Sequence, residues 1–337
     1  SHRSNPVKII DENVTAVFAG NGNSYFLKND HTLWAVGTGK FGAFGIDTKN
    51  NYNQPVLIAE NVDRAFAGAN NVFFTHFDNR LKGMGESQYF LFGQEGEVFH
   101  YQPIEILDAN VSAVTSGDQH SAMLKSDGSV WTMGRDWEGR LGNGSPDRWE
   151  SEPQKIVDEN GTHISSHYRH TLIIKNDGSL WAFGANWNGQ LGDGSKSHRN
   201  VPKRIVDGNV TACAAGEQHS LFVEDDGSLW AMGQNHKGQL GDGTTTTRTS
   251  PVKIVDENVT AVSAGQHYSL FLKNDGSVWS MGWNDRFRLG IGTDGDRNLP
   301  TMVMSSGAVA IDSGIAHSLI LKSDGSLWAF GNQDQGR

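Results

Sequence analysis

Four histidines, His120, His170, His219 and His317, stand at the start of the same strand-like segment, and Tyr268 holds the equivalent point of another copy. A ring of imidazoles is a candidate zinc site, because neutral imidazole is a common ligand of that ion. Tyr268 interrupts this ring, and so do Asn23 and Asn71. Copies set around a wide ring also stand too far apart to share one ion. The expected role is therefore structural, a hydrogen bond from each imidazole to a neighbouring backbone group. The Asp-rich loops Leu-Gly-Asp-Gly (Asp193, Asp242) and Val-Asp-Glu-Asn (Asp256, Glu257) raise calcium as a candidate. They lack the dense oxygen spacing of an EF-hand loop, and Asp-Gly is first a turn signal. No Gly-x-Ser-x-Gly, Walker or His-Glu-x-x-His pattern occurs. The expectation is a protein with no catalytic residue, no metal and no cofactor.

The elements that carry these residues are copies of one repeat. Leu33-Trp34-Ala35-Val36-Gly37 returns as Val130-Trp131, Leu180-Trp181, Leu229-Trp230, Val278-Trp279 and Leu327-Trp328, each with its own trailing glycine. A seventh copy, Leu81-Lys82-Gly83-Met84-Gly85, has lost its tryptophan. From Trp34 the steps are 48, 49, 50, 49, 49 and 49 residues. Fixed periods in this range mark solenoids or propellers. Each copy resolves into four strand-like pieces, a short one rich in small residues, then two joined by Asp-Gly, then one led by proline. Asp-Gly suits a tight hairpin whose central residues both take positive φ.

Seven prolines, Pro6, Pro55, Pro103, Pro153, Pro202, Pro251 and Pro300, share one repeat position. Proline cannot donate to a strand ladder, so the proline-led strand belongs at the edge of each unit. The small-residue strand suits the crowded axis. The expected fold is all-β, a seven-bladed β-propeller of four-stranded blades, with residues 1–337 forming a single domain. Restoring six residues between the two ends gives seven repeats of 49 residues. On that arithmetic the propeller is closed 3+1 by the N-terminal strand, with residues 5–10 completing the blade formed by 308–331. The same gap points to a domain cut from something longer.

The pattern Ala215-Gly216-Glu217-Gln218-His219-Ser220 through Gly238-Gln239-Leu240-Gly241-Asp242-Gly243 resembles the regulator-of-chromosome-condensation repeat. The resemblance covers essentially the whole chain. Repeats one and two depart furthest, with Asn23 and Asn71 for histidine and Phe44 and Phe92 for the leucine of Gly-Gln-Leu-Gly. It implies a seven-bladed propeller that binds proteins through its loops. That family includes a nuclear exchange factor for a small GTPase that docks on nucleosomes, ubiquitin-ligase modules, a plant ultraviolet sensor and bacterial propellers, some of which inhibit β-lactamases. The regular repeats and acidic total are most similar to a bacterial member, which implies a secreted or cell-surface monomer.

Charge narrows the partners. The chain has 38 acidic and 28 basic residues, a net charge of −10. Nucleic-acid binding draws most of its affinity from lysine and arginine, so this balance argues against it. No run of apolar residues is long enough to span a membrane as a helix. The single cysteine, Cys213, excludes an internal disulfide framework and reads as a small buried hydrophobe.

Antiparallel connectivity puts the first and third loops of every blade on one face and the Asp-Gly and Asp-Glu-Asn loops on the other. The first face carries the variation. Trp137, Trp149, Trp187 and Trp283 lie outside the repeated tryptophan position, and all map to third loops. The one extra residue falls in the loop Asn143-Gly144-Ser145-Pro146-Asp147-Arg148-Trp149, and the neighbouring first loop reads His167-Tyr168-Arg169. Aromatics and arginine dominate binding hot spots. The expected site for a protein partner is thus Trp149, Tyr168, Arg169, His167, Trp137, Trp187, Arg148 and Trp283. A carbohydrate-binding surface, with tryptophans stacked on sugars, and guanine-nucleotide exchange on a small GTPase are the competing readings. No long insertion is present to act as an exchange wedge.

Overall fold

In the computed structural model seven four-stranded antiparallel sheets stand in a ring, each with its strands in chain order from the axis outward except where the N-terminal strand joins the last sheet. The structure describes residues 2–39, 42–45, 50–88, 91–93, 98–107, 110–145 and 148–332. Pro146, Asp147 and the tail 333–337, which entered the repeat arithmetic, lie outside the described residues. Blades are numbered here by their innermost strands: Val14–Ala19, Val62–Ala67, Val111–Ser116, Gly161–His167, Val210–Ala215, Val259–Ala264 and Ala308–Ser313. Each of these strands packs on the next around the axis. The seven-bladed ring that the repeat spacing predicts is what the chain forms.

Blade 6 shows why these residues take these places. Val259–Ala264 is innermost, then Tyr268–Lys273 and Val278–Gly282, with Arg297–Met304 outermost. The second strand is buried on both faces except at its last residue, so it reads as a continuous apolar run. Side chains between neighbouring blades make the core, as where Leu221 and Leu229 of blade 5 meet Val259 and Phe271 of blade 6.

Two expectations about the strands need correction. The outer strands begin three or four residues before the proline, at Arg3, Tyr52, Phe99, Trp149, Arg199, Arg248 and Arg297. Arg3–Ile10, rather than 5–10, pairs with Leu327–Gly331, from Arg3 opposite Gly331 to Ile10 opposite Leu327. Proline sits inside the strand because the ladder slips there. The register jumps between Arg3 and Val7, and between the partners of Ala231 and Gly233, and a bulge at an outer strand needs no donor from that residue.

The Asp-Gly hairpin also differs from the expected turn. Only the glycine is left-handed, Gly128 at φ 79°. Lys125 N–H donates to Ser129 O at 2.9 Å and Gly128 N–H to Lys125 O at 3.0 Å. Asp127 instead works through its carboxylate, which accepts from Ser129 N–H at 2.8 Å and Ser129 Oγ at 2.6 Å. Ser129 Oγ in turn accepts from Trp131 Nε1 at 2.9 Å. The motif Asp-Gly-Ser-x-Trp is thus a relay that pins the indole, and it recurs at Trp181 and Trp328.

Candidate partner-binding site

The histidines are latches between blades. His120 Nε2 meets Thr171 Oγ1 at 3.0 Å, His170 meets Ser220 Oγ at 2.8 Å, His219 meets Ser269 Oγ at 2.9 Å and His317 meets Ser24 Oγ at 3.0 Å. In blade 6 Ser318 Oγ donates to Tyr268 Oη at 3.1 Å. The partner is therefore a hydroxyl of the next blade, not the backbone group expected from sequence. The reason is that the second residue of the second strand is serine or threonine in every blade but blade 2, so this hydroxyl receives the imidazole of the blade before. For His120, His219 and His317 the ring fits because the residue three before it is glycine. A Cβ on Gly216 would lie 2.3 Å from His219 Cε1, and one on Gly117 equally close to His120. Burial holds His120 and His219 well below the ordinary histidine range and His170 at about 3, so these imidazoles are neutral.

Of the calcium candidates, Asp193 and Asp242 already hold cationic side chains. Asp193 Oδ2 accepts from Arg199 Nε at 2.8 Å and lies 3.3 Å from Lys203 Nζ. Asp242 Oδ2 accepts from Arg248 Nε at 2.7 Å. Burial works to raise the Asp193 carboxyl, but bonds from Ser195 and Arg199 outweigh it and hold the group low.

These latches and turns present first and third loops together on one face. At the centre of that face lies a cavity of about 280 Å³ to which all seven inner strands contribute, with Asp118, His167, Tyr168, Glu217 and Asp312 in its wall. Burial raises Asp118 against the pull of Arg140, Arg169 and Arg135, raises Glu217, and takes Asp312 to about 6. Asp312 bridges three blades, accepting from Ala19 N–H at 2.7 Å and Ser263 Oγ at 3.1 Å.

Beside the cavity, blades 3 and 4 bring most of the predicted residues into one ridge. Trp137, Trp149 and Trp187 are 45%, 50% and 46% exposed, a high value for indoles on a folded surface. The Arg135 guanidinium lies 3.1 Å from the Trp137 ring centre and 5.3 Å from that of Trp149. The Arg169 guanidinium lies 4.6 Å from Tyr168 and 5.6 Å from Trp187. Arg169 Nη1 also donates to Glu138 Oε1 at 3.0 Å. At the next seam the same place is filled by an amide pair, Asn188 Nδ2 on Gln218 Oε1 at 2.7 Å. Buried Arg140 closes the ridge from below, with Nε on Trp137 O at 2.8 Å and Nη2 3.5 Å from Glu138.

Other placements differ from the expectation. Trp149 opens an outer strand opposite Arg135 instead of lying in a loop, an extension of the ladder that blade 2 shares with Phe99 opposite Glu86. His167 ends the inner strand opposite His170, which leaves Tyr168, at φ 53°, and Arg169 as the whole turn. The His167 ring lines the cavity, with burial holding it at about 4. Arg148 is exposed at the ridge's edge. Trp283 stands apart on blade 6, half-buried, with Arg288 at 3.9 Å and Lys237 at 5.4 Å from its ring. Arg135 and Glu138 escaped the sequence reading. Their signal was departure from the repeat, since Ala185 and Gln234 stand where Arg135 does, and Asn188 and Lys237 where Glu138 does.

Geometry of this kind, a rigid ring carrying an unrepeated aromatic–cation ridge on one face, defines a propeller scaffold. The chain belongs to the RCC1-like domain family, whose model matches residues 100–337. Among curated proteins no match was found. Solved structures share the fold. Human WBSCR16 is 22% identical with a TM-score of 0.82, the match covering 96% of this chain and 88% of that one. Prp20p of Saccharomyces cerevisiae, whose structure is described with its binding to Gsp1p and histones, is 20% identical at 0.82, covering 96% and 84%. Yeast RCC1 (Prp20) bound by Kap60 gives 20% and 0.79, covering 96% and 82%.

Proposed function

We propose that this chain is a non-catalytic scaffold that binds a protein partner through the ridge on blades 3 and 4. The observation that carries the reading is the exposed set Trp137, Trp149 and Trp187 with Arg135 and Arg169 stacked on it. An indole already ordered by a guanidinium loses little side-chain entropy on binding, which is what a hot spot requires. Family membership and the protein partners named for Prp20p support the class of function.

A glycan reading fits less well. Sugars stack on an open indole face, and the guanidinium of Arg135 covers one face of Trp137. Guanine-nucleotide exchange is the second reading, supported by the likeness to Prp20p, the Gsp1p binder. A secreted or cell-surface monomer of bacterial origin is part of the proposal and rests on the regular, acidic repeats. The test is to capture a single stoichiometric partner and map it by crosslinking. Trp149→Ala with Tyr168→Ala should then cut capture without lowering the melting temperature. Lost stability with unchanged capture would overturn the site. A glycan array and a nucleotide-release assay decide the two alternatives.

A further inference from the structure

Blade 2 has no histidine latch on either side, and its join to blade 3 is the one with a polar cavity at the seam. At the position of the latch histidine it carries Asn71, which is 1% exposed. Its Nδ2 donates within its own blade, to Glu86 O at 3.0 Å, and its buried Oδ1 has no hydrogen-bond partner among the described residues. The hydroxyl that a histidine would reach is present: Ser121 is the second residue of the second strand of blade 3 and donates back to Leu91 O of blade 2 at 3.0 Å. Asparagine is too short to meet it. On its other side blade 2 has Val72 where the receiving blades have serine or threonine, so no latch can end there.

Three further features agree. The inner-strand hydroxyls that bridge blades 3 to 4 and 4 to 5, Thr115 on Ser166 N–H and Ser165 on Ala215 N–H, are replaced in blade 2 by Phe66. A polar cavity of about 100 Å³, lined by Asn71, Glu86, Asp118 and Gln119, lies at the blade 2/3 seam. Blade 2 also lacks the pinned tryptophan, with Lys82 in its place. Among the described residues two side-chain bonds cross the seam, the buried Ser121 Oγ on Leu91 O, which other seams also have as Ser220 on Gln190 O, and the exposed Arg64 Nη1 on Ser112 O at 3.1 Å.

We propose that the ring opens at the seam between blades 2 and 3, which makes blade 2 a hinge built into the disc. Opening there admits solvent to the axial cavity, because Ala69 and Asp118 line both cavities.

Hydrogen exchange on the full chain tests this. Amides of Asn71–His76 and Leu81–Glu86 should exchange at least about tenfold faster than those of Tyr268–Lys273 and Val278–Gly282, the scale expected for a missing buried hydrogen bond. Asn71→His should slow blade 2 by about tenfold by completing the latch to Ser121. His170→Asn, which removes a latch elsewhere, should create fast exchange at the blade 4/5 seam. Uniform exchange around the ring overturns the proposal, as does fast exchange in blade 2 that a folded Asn71→His leaves unchanged. Should Asn71→His not fold, His170→Asn decides: no acceleration at its seam overturns the hinge.

Discussion

Two sets of tryptophans make the same contact for different ends. On the repeated set, lysine ammonium groups lie over Trp34, Trp131, Trp181, Trp279 and Trp328 at 4.5–5.5 Å. Their indole N–H groups are tied to serine or threonine hydroxyls, as in Trp181 Nε1 on Ser179 Oγ at 2.9 Å. Trp137, Trp149 and Trp187 on the loop face take arginine instead and stay about half exposed. Cation–π attraction is a modest force in either place. What separates the sets is how far they are buried, so the repeated indoles hold blades together while the unrepeated ones wait on a surface.

That contrast can be broken first by acid, which strikes the repeated machinery. The folded-state pKa of His170, about 3, lies below its unfolded value of 6.5, so the unfolded chain takes up the proton first. Its stabilising contribution is complete above pH 6.5 and is lost as pH falls, by about 2 kcal/mol at pH 5. His120 and His219 act in the same direction. Asp312, raised to about 6, opposes them, since its folded state holds the proton longer. Urea unfolding between pH 7.5 and 5 should show a fall of several kcal/mol; a flat profile would contradict the neutral latches.

Removing a repeated indole comes next. Trp181→Ala should cost about 3 kcal/mol in chemical unfolding. Gly216→Ala should cost about 1–3 kcal/mol, because the new methyl group meets the His219 ring. The smallest stability effect belongs to the other set. Trp187→Ala should stay within about 1 kcal/mol, as expected of an exposed side chain. The same substitution should weaken partner binding about tenfold or more, measured by calorimetry. A large loss of stability from Trp187→Ala would erase the distinction between the sets.

The ring itself was legible because every blade repeats the same local solution. The steps of 48 to 50 residues, the shared prolines and the small inner strands each state one geometric demand. The latches were only half legible. His170 and Ser220 stand 50 residues apart, one repeat plus one residue, so the hydroxyl residue that follows the latch position in all but the second repeat held the answer. Reading it needed the knowledge that the second strand of one blade lies against the innermost strand of the next, close enough for its first side chain to reach the hydroxyl beyond. Turn chemistry misled in one respect: the carboxylate of Asp127, not its backbone angle, earns its place. The ridge was visible as drift from the repeat, but its mortar was not. Arg135 and Glu138 are ordinary surface types, and only coordinates show one lying on two indoles and the other meeting Arg169.

The latch also fixes where its proton lives. Ser220 Oγ gives its own hydrogen to Gln190 O at 2.8 Å, so it can only receive from His170 Nε2. Ser269 does the same between Gln239 O and His219. Both rings must be Nε2–H tautomers, and every such hydrogen points the same way around the disc. Nitrogen-detected magnetic resonance should therefore find a family of slowly exchanging imidazole protons with one shared tautomer. Their sense of circulation is a handedness written in protons, over and above the handedness of the chain.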